Sequence, residues 1–549
     1  MSEILLLLTA VFAVSSVLIL VLEEFSHPYL PAYIAAGLMI GHFVNPSSFY
    51  LIAEIGIAFL VFIFGLKLEP ERLRSVAKDS QAMTTVQVTF VGLFTYISGL
   101  LIGLNPLNSL YLSMTAALSS SLIGMQLIHK EIEIDLLHGK LAESTQLVQD
   151  IIAIVVVITL NSIYSNSNTI FMHALMGLGL LGTAGFIRKF IFADIAESID
   201  EDRELMVMTS LGFLTGYIAI AQVIGLSTVV GAFAAGIAIS KFPYNIEVVD
   251  TIEPLKDFFS LLFFVSLGAL IVYPSLEAVL IAAVLLFFSQ LVKPVMAITL
   301  LIRQGYDKRT AHLAGFNIDQ ISEFALIIAI QAYIGGLLNP EVFQGIILAA
   351  SASFLISSYT SRHGEQIHKN LKWFEPFKPS NRKIKKKSQV GGLEDHVILV
   401  GYDTQAKIIA EALKEEDADF VVIENNPDRI NEAMENENNY IFGDAMDEST
   451  WEKANLDKAS VVISTVPVNK VSRKILGEAS DTDVSVRVSR MRDAKKFVDD
   501  SVYVEVPDLL ASERLADHIR GVLDDPNYRE ELRRRNLLEI RRLLNEQEE

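Results

Sequence analysis

The chain has 549 residues, 51% of them hydrophobic and 20% charged, with a mean hydropathy of +0.40 and a formal net charge of −20. The absence of cysteine excludes disulfides, thiol nucleophiles, iron–sulfur clusters and cysteine-ligated zinc, and the ten histidines show no metal-binding spacing. Residues 391–549 hold 36 Asp+Glu against 21 Lys+Arg, a net −15, which leaves −5 for residues 1–390 and excludes a single soluble core.

Apolar stretches recur at residues 4–22, 28–42, 51–68, 83–103, 109–128, 142–163, 169–189, 205–220, 225–240, 259–273, 277–301, 311–333 and 342–360. Crossing roughly 30 Å of hydrocarbon needs stretches of this kind, so residues 1–361 are expected to form a polytopic α-helical membrane domain of about thirteen transmembrane helices. The stretches at 28–42, 225–240 and 259–273 hold only about 15 residues, which leaves twelve as the alternative count. Glu3 stands where a signal peptide would be basic, and no small-residue cleavage pattern precedes Glu23 and Glu24, so the first stretch is expected to be retained. Arg72, Arg74, Lys78, Lys130, Lys140, Arg188, Lys189, Lys241, Lys256, Arg303, Lys308 and Arg309 fall on one side of a thirteen-span arrangement. The opposite loops, near 43–50, 104–108, 164–168, 221–224 and 334–341, carry no Lys or Arg. The asymmetry predicts a multi-pass cell-membrane protein with its N-terminus outside and its C-terminal domain in the cytoplasm.

Ser119, Ser120 and Ser121 supply hydroxyls and a locally weak helix in the fifth stretch, or simply a close-packing face. Gln149 and Asp150 lie in the middle of the sixth. A carboxylate at that depth is expensive, so Asp150 is expected to face a cavity or the protein interior and to carry proton and cation, the alternative being a packing group paired with a neighbour. Residues 225–240 place small residues every four or five positions, primarily a packing face and otherwise part of a transport path. Lys293, deep in the eleventh stretch, either pairs with Asp150 when no ion is present or snorkels to the interface. The twelfth stretch crowds Asn317, Asp319, Gln320, Ser322 and Glu323 together, which fits a discontinuous helix whose broken centre offers backbone carbonyls and dipole ends to an ion. Asp319 could lie near the cytoplasmic mouth, and Glu323 one turn deeper.

A polar linker is expected over 362–393, with a basic run at 382–387 that reads as a topology anchor at anionic lipid. Residues 394–520 then alternate strands (395–401, 419–424, 440–442, 460–464, 484–488 and 501–506) with helical patterns, predicting a Rossmann-like α/β domain with a parallel sheet. Glu424 falls 23 residues after Gly401, where such a domain holds a ribose, and Gly443 and Asp444 follow the next strand. The glycine fingerprint is damaged. Gly401 is followed by Asp403, which would repel a phosphate unless turned away, and by Ala406, which is acceptable in the tight helix–strand contact. A dinucleotide, a mononucleotide, another small regulator and no ligand all stay open. Residues 521–549 contain leucines at three- and four-residue spacing beside charges, an amphipathic helix that could pack on its own domain, join a dimer or touch the membrane.

Five segments in this order, 59–73, Gln149 with Asp150, 225–240, 253–268 and 320–325, resemble the monovalent cation:proton antiporter-2 family, and within it the glutathione-gated potassium-efflux (Kef-type) branch. The C-terminal part resembles the N-terminal half of the domain that regulates potassium conductance, also found in Trk potassium-uptake systems. The resemblance covers nearly the whole chain. It implies an antiporter-type inverted repeat and a homodimer in membrane lipid working by alternating access, with a dimerisation bundle beside an ion-carrying core and two crossed broken helices near Asp150. By the same resemblance Asp150 is the proton and cation carboxylate, Gln149 its neighbour and Lys293 a charge partner, with Ser119, Ser120, Ser121 and Glu323 in or near the crossing. Gln149 in place of a second acid resembles potassium-selective members and fits electroneutral exchange. Gly401, Glu424, Gly443 and Asp444 match the nucleotide-binding pattern, implying AMP or NAD(H) as regulator with no cofactor required. Asp403 and Ala406 depart from that pattern, and glutathione gating does not follow from the resemblance.

The leading expectation is therefore a K+/H+ antiporter, with an Na+/H+ antiporter or a ligand-gated potassium channel as alternatives. No T-V-G-Y-G filter supports a channel. A soluble nicotinamide dehydrogenase would need a catalytic domain that the chain lacks, and nucleic acid is not an expected partner.

Overall fold

The computed structural model divides the chain into two compact units, Met1–Pro379 and Ser380–Glu549. It describes residues 2–24, 29–43, 47–67, 78–121, 124, 137–164, 170–199, 202–241, 244–271, 274–304, 306, 308–371, 388–390, 392–479, 482–488, 491–495, 497, 502–524, 528 and 532–534. The basic run at 382–387 and most of the expected amphipathic helix in 521–549 lie outside the described residues.

The first unit is helical throughout. Its described helices are α1 (Ser2–Glu24), α2 (Leu30–Gly41), α3 (Ser47–Lys67), α4 (Lys78–Leu101), α5 (Pro106–Ala117) and α6 (Leu137–Tyr164). They continue with α7 (Ile170–Phe190), α8 (Phe192–Ile199), α9 (Arg203–Val223), α10 (Thr228–Ala238), α11 (Tyr244–Ile252) and α12 (Lys256–Ala269). The last are α13 (Leu276–Leu286), α14 (Lys293–Gln304), α15 (Lys308–Phe316), α16 (Glu323–Ile334), α17 (Pro340–Arg362) and α18 (Gly364–Leu371). Every one of the thirteen apolar stretches thus carries helix. Among the described residues, however, five helices are long and apolar enough to cross a membrane unaided, and a sixth results if Leu175–Phe190 and Phe192–Ile199, bent by 53°, count as one span. The shortfall from thirteen has a physical origin: Leu30–Gly41, Thr228–Ala238 and Glu323–Ile334 are short, and two stretches are interrupted.

Side chains set the helix ends. Asn105 caps α5 by accepting the Asn108 amide at 2.8 Å ahead of Pro106, and Asp202 caps α9 through the amides of Glu204 and Leu205. Between α13 and α14 the backbone winds as a π-helix over Phe287–Val292. Pro294, which lacks the N–H that an α-helix would direct at the carbonyl of Gln290 within this segment, follows it after one intervening residue and favours the wider turn. Large apolar side chains left exposed on these helices, such as Leu101, Leu178, Met208 and Val223, belong to a surface that meets hydrocarbon rather than water.

Packing within the unit depends on glycine at points of backbone contact. A Cβ on Gly268 of α12 would lie 2.0 Å from the Ile34 carbonyl of α2, and one on Gly236 of α10 would lie 2.2 Å from the Phe62 carbonyl of α3. For residues 225–240 this realises the close-packing alternative. At the motif shared by 59–73 and 253–268, Lys67 and Glu253 form a 2.5 Å ion pair. The segment expected to be linker is structured at both ends. Its helix α18 docks on α15 through an Arg309–Glu365 ion pair and a 2.8 Å contact between His312 Nδ1 and His368 Nδ1.

The second unit is a seven-stranded sheet in the order β1-β4-β3-β2-β5-β6-β7. The strands are β1 (Ser388–Gln389), β2 (His396–Val400), β3 (Phe420–Glu424), β4 (Tyr440–Phe442), β5 (Ala459–Ser464), β6 (Asp483–Arg487) and β7 (Tyr503–Glu505). All neighbours pair in parallel except β1, which the sequence hides in the linker and which adds antiparallel to β4. From β4 to β7 this is the doubly wound order, whose direction reverses between β2 and β5. The buried rows of β2 and β3 pack on Ala406 and Ala410 of α19 (Thr404–Glu415) and on Ile430 and Ala433 of α20 (Pro427–Asn436).

Candidate functional site

In the first unit two helices break against each other. Helix α5 stops at Ala117, Leu118 is extended (φ −89°, ψ 146°), and helical backbone resumes at Ser121. Between α15 and α16 residues 317–322 leave the helix, and Ser322 restarts it by accepting the Phe324 amide at 3.0 Å. The breaks are tied directly. Ser119 Oγ donates to the Ile318 carbonyl at 2.7 Å, and Gln320 Nε2 donates to the Ser120 carbonyl at 3.3 Å.

Helix α6 passes the crossing and ties both breaks to itself. Gln149 Oε1 accepts the Ser119 amide at 2.6 Å, and Gln146 Nε2 donates to the Asn317 carbonyl at 2.8 Å. Asp150 is 1% exposed, and among the described residues neither of its carboxylate oxygens has a hydrogen-bond partner. Ser121 and Glu323 are the polar side chains acting at it, and Ser121 Oγ donates to Glu323 Oε1 at 3.1 Å. Both stand at the starts of helical segments, whose positive dipole ends favour negative charge.

Lys293 corrects both expectations held for it. It is fully buried, so it does not snorkel, and its Nζ donates to the carbonyls of Leu118 at 3.0 Å and Gln320 at 2.8 Å rather than to Asp150. Those carbonyls lie one in each break, beyond the last turns of α5 and α15, where the helix dipoles are negative. Asp319 is also placed differently from a group at the mouth. It is 1% exposed, with Oδ1 accepting Ser357 Oγ at 2.5 Å and Oδ2 accepting Thr360 Oγ1 at 2.7 Å.

All eight expected residues therefore gather at one crossing. The sequence reading named Asn317 in the polar cluster but missed the other residues that hold the site there: Gln146, Gln290, which donates to the Asp319 carbonyl at 3.1 Å, and Ser357, Thr360 and Ser361 of α17. The available signal was a run of hydroxyls at helical spacing in an apolar stretch and an amide beside Lys293.

In the second unit the turn after β2 lies at the reversal of strand order. Gly401 has φ +93°, and a Cβ there would sit 2.6 Å from Thr465 Oγ1 at the end of β5, so both conformation and space call for glycine. Glu424 is buried, and its oxygens take the amides of Tyr402 at 2.8 Å, Asn425 at 2.8 Å and Asn426 at 2.7 Å. Asp444 is likewise buried and accepts the Met446 amide at 2.9 Å, while Gly443 donates to the Glu424 carbonyl. Burial pushes the Tyr402 phenol up, and Glu437, which accepts its proton at 2.6 Å, pushes it further.

Asp403 turns into the first turn of α19 and caps it, accepting the Ala406 amide at 3.0 Å, while its other oxygen meets Arg487 Nη1 at 3.1 Å. The amide-lined helix start that a nucleotide phosphate uses in this topology is thus filled by the chain's own carboxylate. Glu424, expected to hold a ribose, already accepts three backbone amides. In this arrangement the turn does not fit a nucleotide phosphate.

Residues 9–362 match the transmembrane sodium/hydrogen exchanger family, and residues 397–504 match the TrkA-N domain. The glutathione-regulated potassium-efflux system protein KefC of Escherichia coli strain K12 is 25% identical over 448 residues, covering 79% of this chain and 71% of that one. KefC of Klebsiella pneumoniae is 23% identical over 480 residues, covering 85% and 76%. Among solved structures, the sodium proton antiporter MjNhaP1 of Methanocaldococcus jannaschii superposes with a TM-score of 0.53 at 16% identity, over 67% of this chain and 98% of that one. The fold is accordingly an antiporter-type helical membrane domain joined to a Rossmann-like domain, and the Kef-type resemblance read from the sequence is borne out.

Proposed function

The chain belongs to the transmembrane sodium/hydrogen exchanger family, and from that premise we propose that it exchanges one K+ for one H+ at Asp150 by alternating access. It is a membrane-embedded antiporter of monovalent cations and protons, not an enzyme. The observation that carries the choice of site is Asp150 itself, a carboxylate 1% exposed whose two oxygens have no hydrogen-bond partner among the described residues, while both helix breaks are tied to its own helix. A buried carboxylate must be neutralised, and a proton or a cation can do so in turn. Competition for the one group couples the two fluxes.

The surrounding residues are assigned by what they touch. Gln149 and Gln146 hold the two breaks on α6, Ser119 and Ser120 clasp one break to the other, and Lys293 offsets the negative ends of α5 and α15. Ser121 and Glu323 stand beside Asp150, and their side-chain oxygens can replace part of a cation's water. K+ is favoured over Na+ because a single acid beside Gln149 follows the potassium-selective pattern, and the relatives are potassium-efflux proteins.

The finer architecture belongs to the same reading: about thirteen spans with an inverted repeat, a homodimer, the N-terminus outside and residues 394–520 as a cytoplasmic regulator. AMP or NAD(H) acts on that regulator only if Asp403 leaves the phosphate position. The test of the site is Asp150→Asn in proteoliposomes. Cation-dependent proton movement, compared for K+ and Na+, is expected to vanish while the purified protein keeps its thermal unfolding profile. Full exchange by the variant would overturn the assignment.

A further inference from the structure

Asp319 has so far no part in the exchange, although it is buried within the crossing. Its two oxygens accept hydroxyls from Ser357 and Thr360 of α17, and its carbonyl is held by Gln290 of the π-helix. Hydroxyls donated to both oxygens stabilise a carboxylate in its charged form. Lys293 reaches the same segment, because its Nζ donates to the carbonyl of Gln320, the residue next to Asp319.

A buried ammonium needs an opposite charge as well as carbonyls. Asp319 adjoins in the chain the Gln320 carbonyl that holds Lys293 Nζ at 2.8 Å, whereas Glu323 opens α16 and accepts Ser121 Oγ at 3.1 Å. We propose that Asp319 is the resident counter-charge of Lys293, a positioning residue that keeps the ammonium from pairing with Asp150 and so leaves Asp150 to be neutralised by the transported cation or proton. This rests on the reading of Asp150 given above. It reassigns the lysine's partner, and it places the carboxylate that balances the lysine in the break between α15 and α16 and the carboxylate that carries the ion on α6.

Removing the charge of Asp319 exposes Asp150 to an uncompensated Lys293. The ammonium then favours the Asp150 carboxylate over its protonated form, so a proton is taken up only at lower pH, and it repels an arriving cation. Wild type, Asp319→Asn, Asp319→Ser and Asp319→Glu are compared in proteoliposomes by proton movement as a function of pH and K+ concentration. Both neutral variants are expected to shift the pH profile to the acid side by about one pH unit or more, and to raise the KM for K+ about tenfold. Asp319→Glu keeps the charge and is expected to keep the wild-type profile with a lower rate. A neutral variant with the wild-type profile and KM overturns the proposal, as does a glutamate variant shifted as far as the neutral ones. Asp150→Asn in the same vesicles separates the two readings, since retained exchange there overturns the Asp150 site regardless of Asp319.

Discussion

Asp403 accepts the Ala406 amide and meets Arg487 at the point where a nucleotide phosphate would approach α19. Replacing it by glycine removes a negative charge, keeps most of the cap stability and leaves Arg487 available to an anion. Asp403→Gly in the full-length protein is therefore expected to bind AMP or NADH about tenfold more tightly than wild type, a gain of about 1.4 kcal/mol measurable by calorimetry. Equal or weaker binding would show that the carboxylate does not control the turn. The sequence displays Asp403 as a departure from the glycine pattern, but not what it does. Its partner Arg487 lies 84 residues on, at the end of β6, and only the sheet order brings the two together. Lys293 was legible in the same partial way. Its depth in an apolar stretch marked it as unusual, while its attachment to two carbonyls depends on backbone geometry that residue types do not encode.

At the scale of elements, the strands of the second unit were readable because β-branched runs bounded by turn residues leave few alternatives, and β1 was lost because two residues make no pattern. The break between α15 and α16 was legible from its polar cluster; the one after α5 announced itself only as a run of serines. Helix partners were not legible at all, since small residues reveal that something approaches without naming it. The α2–α12 contact offers a direct measure. Gly268→Ala puts a methyl 2.0 Å from the Ile34 carbonyl and is expected to destabilise the purified protein by about 1–3 kcal/mol in thermal or denaturant unfolding. Gly216→Ala, on α9 with no atom within 4 Å of the added methyl, is the matched control and is expected to leave stability unchanged or raise it by up to about 1 kcal/mol. If both substitutions behave alike, backbone approach is not what fixes this packing.

Over the whole molecule, the exchange chemistry falls on one side of the boundary between the two units. Every group assigned to ion exchange, from Leu118 through Asp150 and Lys293 to Glu323, lies in Met1–Pro379, while the unit from Ser380 onward contributes none of these groups. A chain ending at Pro379 is therefore expected to insert and to retain exchange that depends on Asp150, with K+ and H+ still competing. If the sheet domain regulates transport, as the TrkA-N match at 397–504 supports, the truncated chain should differ from the full-length protein at least twofold in rate, and should lose any response to AMP or NADH. Rates measured in proteoliposomes over pH and K+ concentration, with and without nucleotide, decide the matter. Identical profiles for the two chains would remove the regulatory role while leaving the exchange site intact, and loss of all exchange in a truncated chain that folds would mean that the transport unit is not self-sufficient.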